Sequence, residues 1–516
     1  MTLAVPPSLE GAPEHAWLSH GRTLALHGEL AAALALYRDA AERFPESADI
    51  RLGWAGLHWQ SGQHDAAERL LRDWLQAHPA DEGATFLLAQ LLREQGRLRA
   101  VGETVRALFE HGTHDIDTII RAVEMLDDFG LPNDAFIICE HAIDTGPNDP
   151  RLHAYAGMLA IQLGKFARTR EHYAYALEHE PAAVDWNIPL GLSGLQRYTD
   201  SSHPDLAFLQ GLLQRPALSA STRRATLFAL GKAHDDLGDY AAATHYLREA
   251  NALAHADSTW SRKKWKRGVD ARLASSSSDI ALPPPGDWAP IFIVGVPRSG
   301  TTLLAERLAR HPEVKNRGEL GWLEHAEQRL SSAAGDTERM LEQIARDVAR
   351  QLLQDDDRAR WYIDKQPMNL LRVDLAMRLW PNARIIHCER DARDTALSLW
   401  MQSFNDAAHD YAYDFGDIAA VIRDCRRLAA HWGKRYPSSF LNVSYEALVS
   451  APGETLDGIA QWLGLTGRAP DDHETAPRGI ATASAWQARQ AVFTSSVGRW
   501  QHYAPYLPEL AAFDPR

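Results

Sequence analysis

Gly28, Gly62, Gly96, Gly130 and Gly164 recur every 34 positions, and no other feature of the 516-residue chain restricts its fold as tightly. Pro45, Pro79, Pro147 and Pro181 keep the same phase, with Thr113 where a further proline would stand. Ala32, Ala66, Ala100 and Asp134 each follow a repeat glycine by four. The pattern predicts a pair of amphipathic helices per period: glycine permits the tight turn between them, a small residue lets them approach, and proline stops the second. One such hairpin cannot bury its apolar face alone, so stacking must supply the core. Gly238 lies 74 positions beyond Gly164, two periods plus six, which places an irregular or expanded unit at about Asn187 to Arg224.

The pattern ends before Ala271–Pro290, where Ser275–Ser278 and Pro283–Gly286 have linker composition. Three segments are expected: a helical solenoid over 1–257, a linker over 258–286, and a second domain over 287–516. The basic run Arg262–Arg267 at this junction reads as a solvated helix face. Beyond it, apolar runs at Ile291–Val294, Trp361–Ile363, Arg384–Cys388 and Phe440–Val443 alternate with helical stretches such as Ile418–Trp432. That alternation predicts an α/β domain with a parallel sheet, and ligands then bind at the carboxyl ends of the strands.

The first of those runs leads into Gly295-Val296-Pro297-Arg298-Ser299-Gly300-Thr301-Thr302 and a helical pattern. Strand, glycine-bounded loop and helix start form an anion cradle of backbone N–H groups, helix dipole and Thr hydroxyls. The glycine spacing is that of a nucleotide P-loop, but Thr301 stands where a P-loop has its lysine. Without that lysine the loop does not suit a nucleoside triphosphate, and Arg298 offers a grip from another side.

Composition narrows the classes further. A hydrophobic fraction of 45% and a charged fraction of 24% are those of a globular protein. A net charge of −14 argues against nonspecific nucleic-acid binding. No apolar run is long enough to span a membrane, and Met1–Glu14 has no signal-peptide pattern, so a cytoplasmic protein is expected. Cys139, Cys388 and Cys425 lack paired spacing, which suggests neither disulfides nor a zinc site; Cys388 reads as buried core.

On Pro297–Thr302 the chain resembles the sulfotransferase family, whose 5′-phosphosulfate loop reads Pro-Arg-Ser-Gly-Thr-Thr. Within that family it is similar to the tyrosylprotein sulfotransferase-like group, including bacterial proteins that carry tetratricopeptide repeats ahead of the catalytic domain. The resemblance implies 3′-phosphoadenosine 5′-phosphosulfate as cosubstrate and no metal. It implies that Glu319, in Arg317-Gly318-Glu319-Leu320, is the catalytic base, a role that suits a carboxylate whose burial raises its pKa. It also implies that Lys365, in Asp364-Lys365-Gln366-Pro367, stabilises charge on the leaving group. Arg390 and Ser398, eight residues apart, match the 3′-phosphate pair of the family, and the planar fork of arginine suits that group. Tyr445 matches a corner near the nucleotide. Thr482–Gln490 and Ser495–Trp500 resemble segments that close over it, which leaves Ser496, Arg489 and Arg499 as alternatives at the 3′-phosphate. Gly318 and Leu320 differ from the tyrosylprotein group, so the acceptor hydroxyl, on a polypeptide or a small molecule, stays open.

The concave face of the repeats is expected to hold a peptide or partner protein, or else to serve as a platform; an oligomer is compatible with either. Two rival readings are a P-loop kinase or ATPase, against which the missing lysine weighs, and a repeat scaffold with an inactive transferase domain.

Overall fold

The computed structural model describes residues 9, 11–110, 114–146, 148–275, 281–284, 286–332, 337–356, 358–404, 406–466 and 496–513. Thr113, Pro147, Ser276–Ser278, Pro285, the segment Thr482–Gln490 with Arg489, and Ser495 lie outside the described residues. The chain divides into two compact units, Met1–Leu152 with Leu353–Asp357, and His153–Leu352 with Arg358–Arg516.

The first unit holds four helical hairpins: Glu14–Leu26 (α1) with Leu30–Arg43 (α2), Ala48–Gln60 (α3) with His64–Ala77 (α4), Glu82–Glu94 (α5) with Leu98–Glu110 (α6), and Ile116–Asp128 (α7) with Pro132–Thr145 (α8). The repeat glycines sit in the turns, and Gly28, Gly62, Gly96 and Gly130 have φ between 73° and 79°, a left-handed backbone that only glycine adopts without strain. A second signal with the same period lies at the helix starts. Ser47, Asp81 and Asp115 each accept a hydrogen bond from the backbone N–H three residues on, at 3.2, 2.9 and 2.7 Å. Each such cap is worth about 1 kcal/mol. Apolar faces close between them; in α5, Ala84, Phe86, Leu88, Ala89, Leu91 and Leu92 are all buried.

The repeat portion of the second unit begins within α9, Pro150–Leu163, and continues with α10, Phe166–His179. The irregular stretch expected near Asn187 is a 3₁₀ turn at Pro181–Asp185 followed by two short helices, Ile188–Ser193 (α11) and Pro204–Leu213 (α12). A regular hairpin then resumes as Ala220–Asp236 (α13) and Tyr240–Ala256 (α14), turning at Gly238 with φ 76°. The basic run lies in α15, Arg262–Ala274, where Arg262 pairs with Asp417 and Lys266 with Asp270.

The rest of this unit is built on a sheet of five parallel strands: Ala289–Gly295 (β1), Val314–Asn316 (β2), Trp361–Asp364 (β3), Arg384–Glu389 (β4) and Phe440–Ser444 (β5), in the order β2-β3-β1-β4-β5. Every residue of the central strand β1 is buried, as expected of a strand covered on both faces. Four strands coincide with the apolar runs. The fifth, β2, is an edge strand reading Val-Lys-Asn and carries no apolar run. Helices α16 (Thr301–Leu308), α17 (Trp322–Ser332), α18 (Thr337–Leu352), α19 (Val373–Leu379), α20 (Ala392–Trp400) and α21 (Phe415–Arg435) follow in chain order. They are succeeded by α22 (Tyr445–Ser450), α23 (Pro452–Leu463) and α24 (Trp500–Tyr503).

The last repeat hairpin packs into this α/β portion. Asn251 Nδ2 donates to the Trp400 carbonyl at 2.9 Å, Arg248 pairs with Glu509 at 2.8 Å, and the Tyr240 and Tyr503 rings meet edge to face at 5.1 Å. Among the described residues no helix is long and apolar enough to cross a membrane.

Candidate active site

The loop after β1 is shaped by backbone restrictions. Gly295 ends the strand with φ 152°, and a Cβ there would lie 2.6 Å from the Cys388 carbonyl oxygen on neighbouring β4. Arg298 has φ 72°, one of three non-glycine residues with positive φ among the described residues. Such a conformation costs on the order of 1 kcal/mol or more and concentrates at ligand-gripping loops. The Ser299 N–H closes a turn on the Val296 carbonyl at 3.1 Å. Gly300 caps α16 at φ 98° and, having no side chain, offers no acceptor to the first helical N–H groups, and a Cβ on it would run into the Tyr445 ring. Pro297, Ser299, Thr301 and Thr302 are buried, and the Ser299 hydroxyl has no hydrogen-bond partner among the described residues.

Arginines gather beside this helix end. Arg298 Nε donates to Ser398 Oγ at 3.1 Å, and one terminal nitrogen of Arg390 donates to the Arg298 carbonyl at 3.1 Å. The other donates to the Ser496 carbonyl at 2.6 Å, while Arg390 Nε is buried without a partner among the described residues. The Arg390 guanidinium lies 4.6 Å from the Tyr445 ring centroid, and the Tyr445 and Ser496 hydroxyls share a hydrogen bond of 2.5 Å. Burial, then the charges of Arg390 and Arg499, push Arg298 down to about 10. Burial also lowers Arg390, partly offset by Tyr445, Asp394 and Glu446. Burial together with like charge on Arg298 concentrates positive charge where an anion can relieve it. An uncapped helix start, an unpartnered buried hydroxyl and an unpartnered guanidinium nitrogen together fit a nucleotide carrying more than one phosphate-type group.

At the neighbouring strand ends, residues after β2 run beside those after β3. The Arg317 N–H donates to the Ile363 carbonyl at 2.9 Å, and the Lys365 N–H to the Gly318 carbonyl at 2.8 Å. This stitching brings Glu319 and Lys365 into an ion pair in which Lys365 is 2% exposed and Glu319 40%. The burial expected of Glu319 is therefore not found: it projects outward from a loop, and the buried carboxylate is its neighbour Asp364. Burial raises Asp364 to about 8, against the Leu320 N–H, Asn369 and Lys365, which act the other way. Asp364 accepts from the Leu320 N–H at 3.2 Å and from Asn369 Nδ2 at 3.1 Å, which ties the Glu319 loop to β3.

The structure thus gathers Arg298, Ser299, Arg390, Ser398, Tyr445 and Ser496 at one strand-end site, and joins Glu319 to Lys365. Arg499 reaches the same cluster electrostatically, but its hydrogen bond is to Asp235 on α13. Cys388 is buried, and burial pushes its thiol up to about 12. Two further carboxylates escape the sequence motifs. Asp394, in the first turn of α20, accepts from the backbone N–H groups of Gly498 at 2.7 Å and Trp500 at 2.9 Å; its place between Arg390 and Ser398 was its one available signal. Asp235 has none.

Comparison with known proteins agrees with this architecture. Residues 290–470 match the model of the sulfotransferase family, and residues 24–91 match that of the tetratricopeptide repeat. The chain is 24% identical to an uncharacterised protein of Aquifex aeolicus (strain VF5), over 96% of this chain and 68% of that protein. It is 27% identical to protein-tyrosine sulfotransferase 2 of Gallus gallus, over 34% of this chain and 51% of that protein. The chain thus spans about half the length of this named relative. Among solved structures, the sulfotransferase domain of the Synechococcus PCC 7002 olefin synthase is 21% identical over 43% of this chain and 98% of that domain. Its TM-score is 0.27, too low to carry weight. The chain therefore carries a match to the tetratricopeptide repeat at 24–91 ahead of a match to the sulfotransferase family at 290–470.

Proposed function

We propose that the protein transfers a sulfonate group from 3′-phosphoadenosine 5′-phosphosulfate to an acceptor hydroxyl. The observation that carries this reading is the convergence of Arg298, Arg390 and Ser398 on the uncapped start of α16, with the Glu319–Lys365 pair beyond the ends of β2 and β3. When bound, the donor supplies an activated sulfonate and a bisphosphate leaving group.

In this reading the backbone N–H groups and hydroxyls of Ser299, Gly300, Thr301 and Thr302 hold the 5′ end, while Pro297 sets the approach of the loop. Arg390 and Ser398 hold the 3′-phosphate, and Tyr445, Ser496 and Arg499 close the nucleotide end. Glu319 accepts the proton of the acceptor hydroxyl. Lys365 then loses its anionic partner and turns its donors to the oxygen on which charge collects, an electrostatic role for which its buried position suits it. Most of the rate comes from positioning and preset charge.

For the acceptor we propose a tyrosyl hydroxyl on a polypeptide, supported by the named relative and by the repeats at 24–91. Residues 1–257 then present the acceptor and 287–516 carry the chemistry. The test is to incubate the purified chain with isotope-labelled donor and lysate and to identify labelled products by mass spectrometry. Sulfated tyrosine in a recurring peptide context is the expected result. Label confined to small molecules overturns the polypeptide acceptor, and no transfer to any acceptor overturns the activity.

A further inference from the structure

Arg499 is held from an unexpected direction. Asp235, near the end of α13 in the last repeat hairpin, precedes it by 264 positions and accepts from its guanidinium through Oδ2. The other oxygen, Oδ1, accepts from the Tyr503 hydroxyl at 2.6 Å. Asp235 is 12% exposed and Arg499 26%, so the pair is largely shielded from water.

Asp235 and Asp394 divide the work of holding this segment. Asp394 binds backbone, taking the N–H groups of Gly498 and Trp500. Asp235 binds side chains, and so it selects where the Arg499 guanidinium points. A third guanidinium brought near Arg298 and Arg390 is repelled by both and has no reason to stay unless a carboxylate offsets the repulsion. Burial alone acts to lower Arg499, yet the charge and hydrogen bond of Asp235 raise it overall. The adjacent Asp236 serves the repeat itself, accepting from Lys232 at 2.6 Å and from the Tyr198 N–H at 3.1 Å.

We propose that Asp235 is a positioning residue of the donor site: by fixing Arg499 beside Arg298 and Arg390 it sets the selectivity for a 3′-phosphate. The last repeat hairpin is then a working part of the site and not only a route to it. This rests on the donor reading above, so both are tested together on the full chain.

The experiment measures calorimetric affinities for adenosine 3′,5′-bisphosphate and adenosine 5′-monophosphate. Loss of one charge-assisted hydrogen bond predicts that Asp235→Ala weakens the bisphosphate about tenfold and the monophosphate less than about twofold. Arg499→Ala gives the same pattern, and the double variant is no weaker than Arg499→Ala alone, because Asp235 acts through that residue. Asp236 reaches Arg499 only as a weaker charge and, among the described residues, with no hydrogen bond to it, so Asp236→Asn lowers stability and shifts the ratio much less than Asp235→Ala, which separates positioning from general loosening. Should Asp235→Ala fail to fold, Tyr503→Phe removes only the hydroxyl that donates to Asp235 and shifts the ratio in the same direction. An unchanged ratio in the folded Asp235 or Tyr503 variant, or losses that multiply in the double variant, overturns the proposal while leaving the donor reading intact. A wild-type chain that binds neither nucleotide overturns both.

Discussion

The Glu319–Lys365 pair is asymmetric, and the asymmetry predicts that stability and turnover respond differently to its two halves. Lys365 is 2% exposed and Glu319 40%. Solvent reaches the carboxylate, so the Coulombic worth of the pair is that of a near-surface pair, about 0–1 kcal/mol. The larger quantity is what each residue leaves behind. Glu319→Ala strands a buried ammonium that has no other hydrogen-bond acceptor among the described residues, a cost of roughly 1–3 kcal/mol. Lys365→Met replaces the ammonium with a thioether on a similar stem and leaves an exposed carboxylate to water, with an expected cost below about 1 kcal/mol. Glu319→Gln keeps an acceptor for the ammonium and falls between them. Turnover follows another order: Glu319→Gln loses about 10²–10⁴ with nucleotide affinity retained, since it removes the proton acceptor and nothing at the arginine cluster. The assays are denaturant unfolding at pH 7 and initial rates with a tyrosine peptide. Lys365→Met as destabilising as Glu319→Ala would refute the assignment of the cost to the buried ammonium. Wild-type turnover in Glu319→Gln would remove it as the base.

Two further predictions concern the nucleotide end and the buried carboxylate. Adenosine 3′,5′-bisphosphate should raise the melting temperature more than ATP with magnesium at equal concentration, and Arg390→Ala should weaken its binding by about 1.5–3 kcal/mol; equal shifts for the two nucleotides would favour a kinase or ATPase. Asp364 is raised to about 8 by burial from an ordinary value of 3.8, so the folded chain holds a proton there that the unfolded chain has released. The stabilisation is complete below pH 3.8 and is lost as pH climbs toward 8, at ~1.4 kcal/mol per pH unit for one proton. Unfolding free energies of wild type and Asp364→Asn between pH 5 and 8 should therefore converge or cross, with the wild type falling more steeply; parallel curves would show that Asp364 titrates at its usual value.

What was legible in the sequence is what short-range physics writes there. The 34-residue glycine period marks a left-handed turn that each hairpin needs, and the structure has that turn at every repeat glycine from Gly28 to Gly164, and again at Gly238. Four apolar runs became four parallel strands, because a strand covered on both faces must be apolar along its length. The loop after β1 was readable because its form lies in backbone shape, which glycine spacing records locally. Strand β2 left no such record: at a sheet edge, three residues reading Val-Lys-Asn need no apolar run.

Only the tertiary structure decided how distant residues meet. Strand order set β2 beside β3 and so joined Glu319 to Lys365, 46 positions apart, and it exposed the carboxylate that a base was expected to bury. Arg298 found Ser398 across 100 positions, and Arg499 found Asp235 across 264. Periodicity encodes which face of an element is apolar, but a polar contact between elements depends on packing many side chains at once. A lone aspartate at the end of a helix looks the same in the sequence whether it meets water or an arginine.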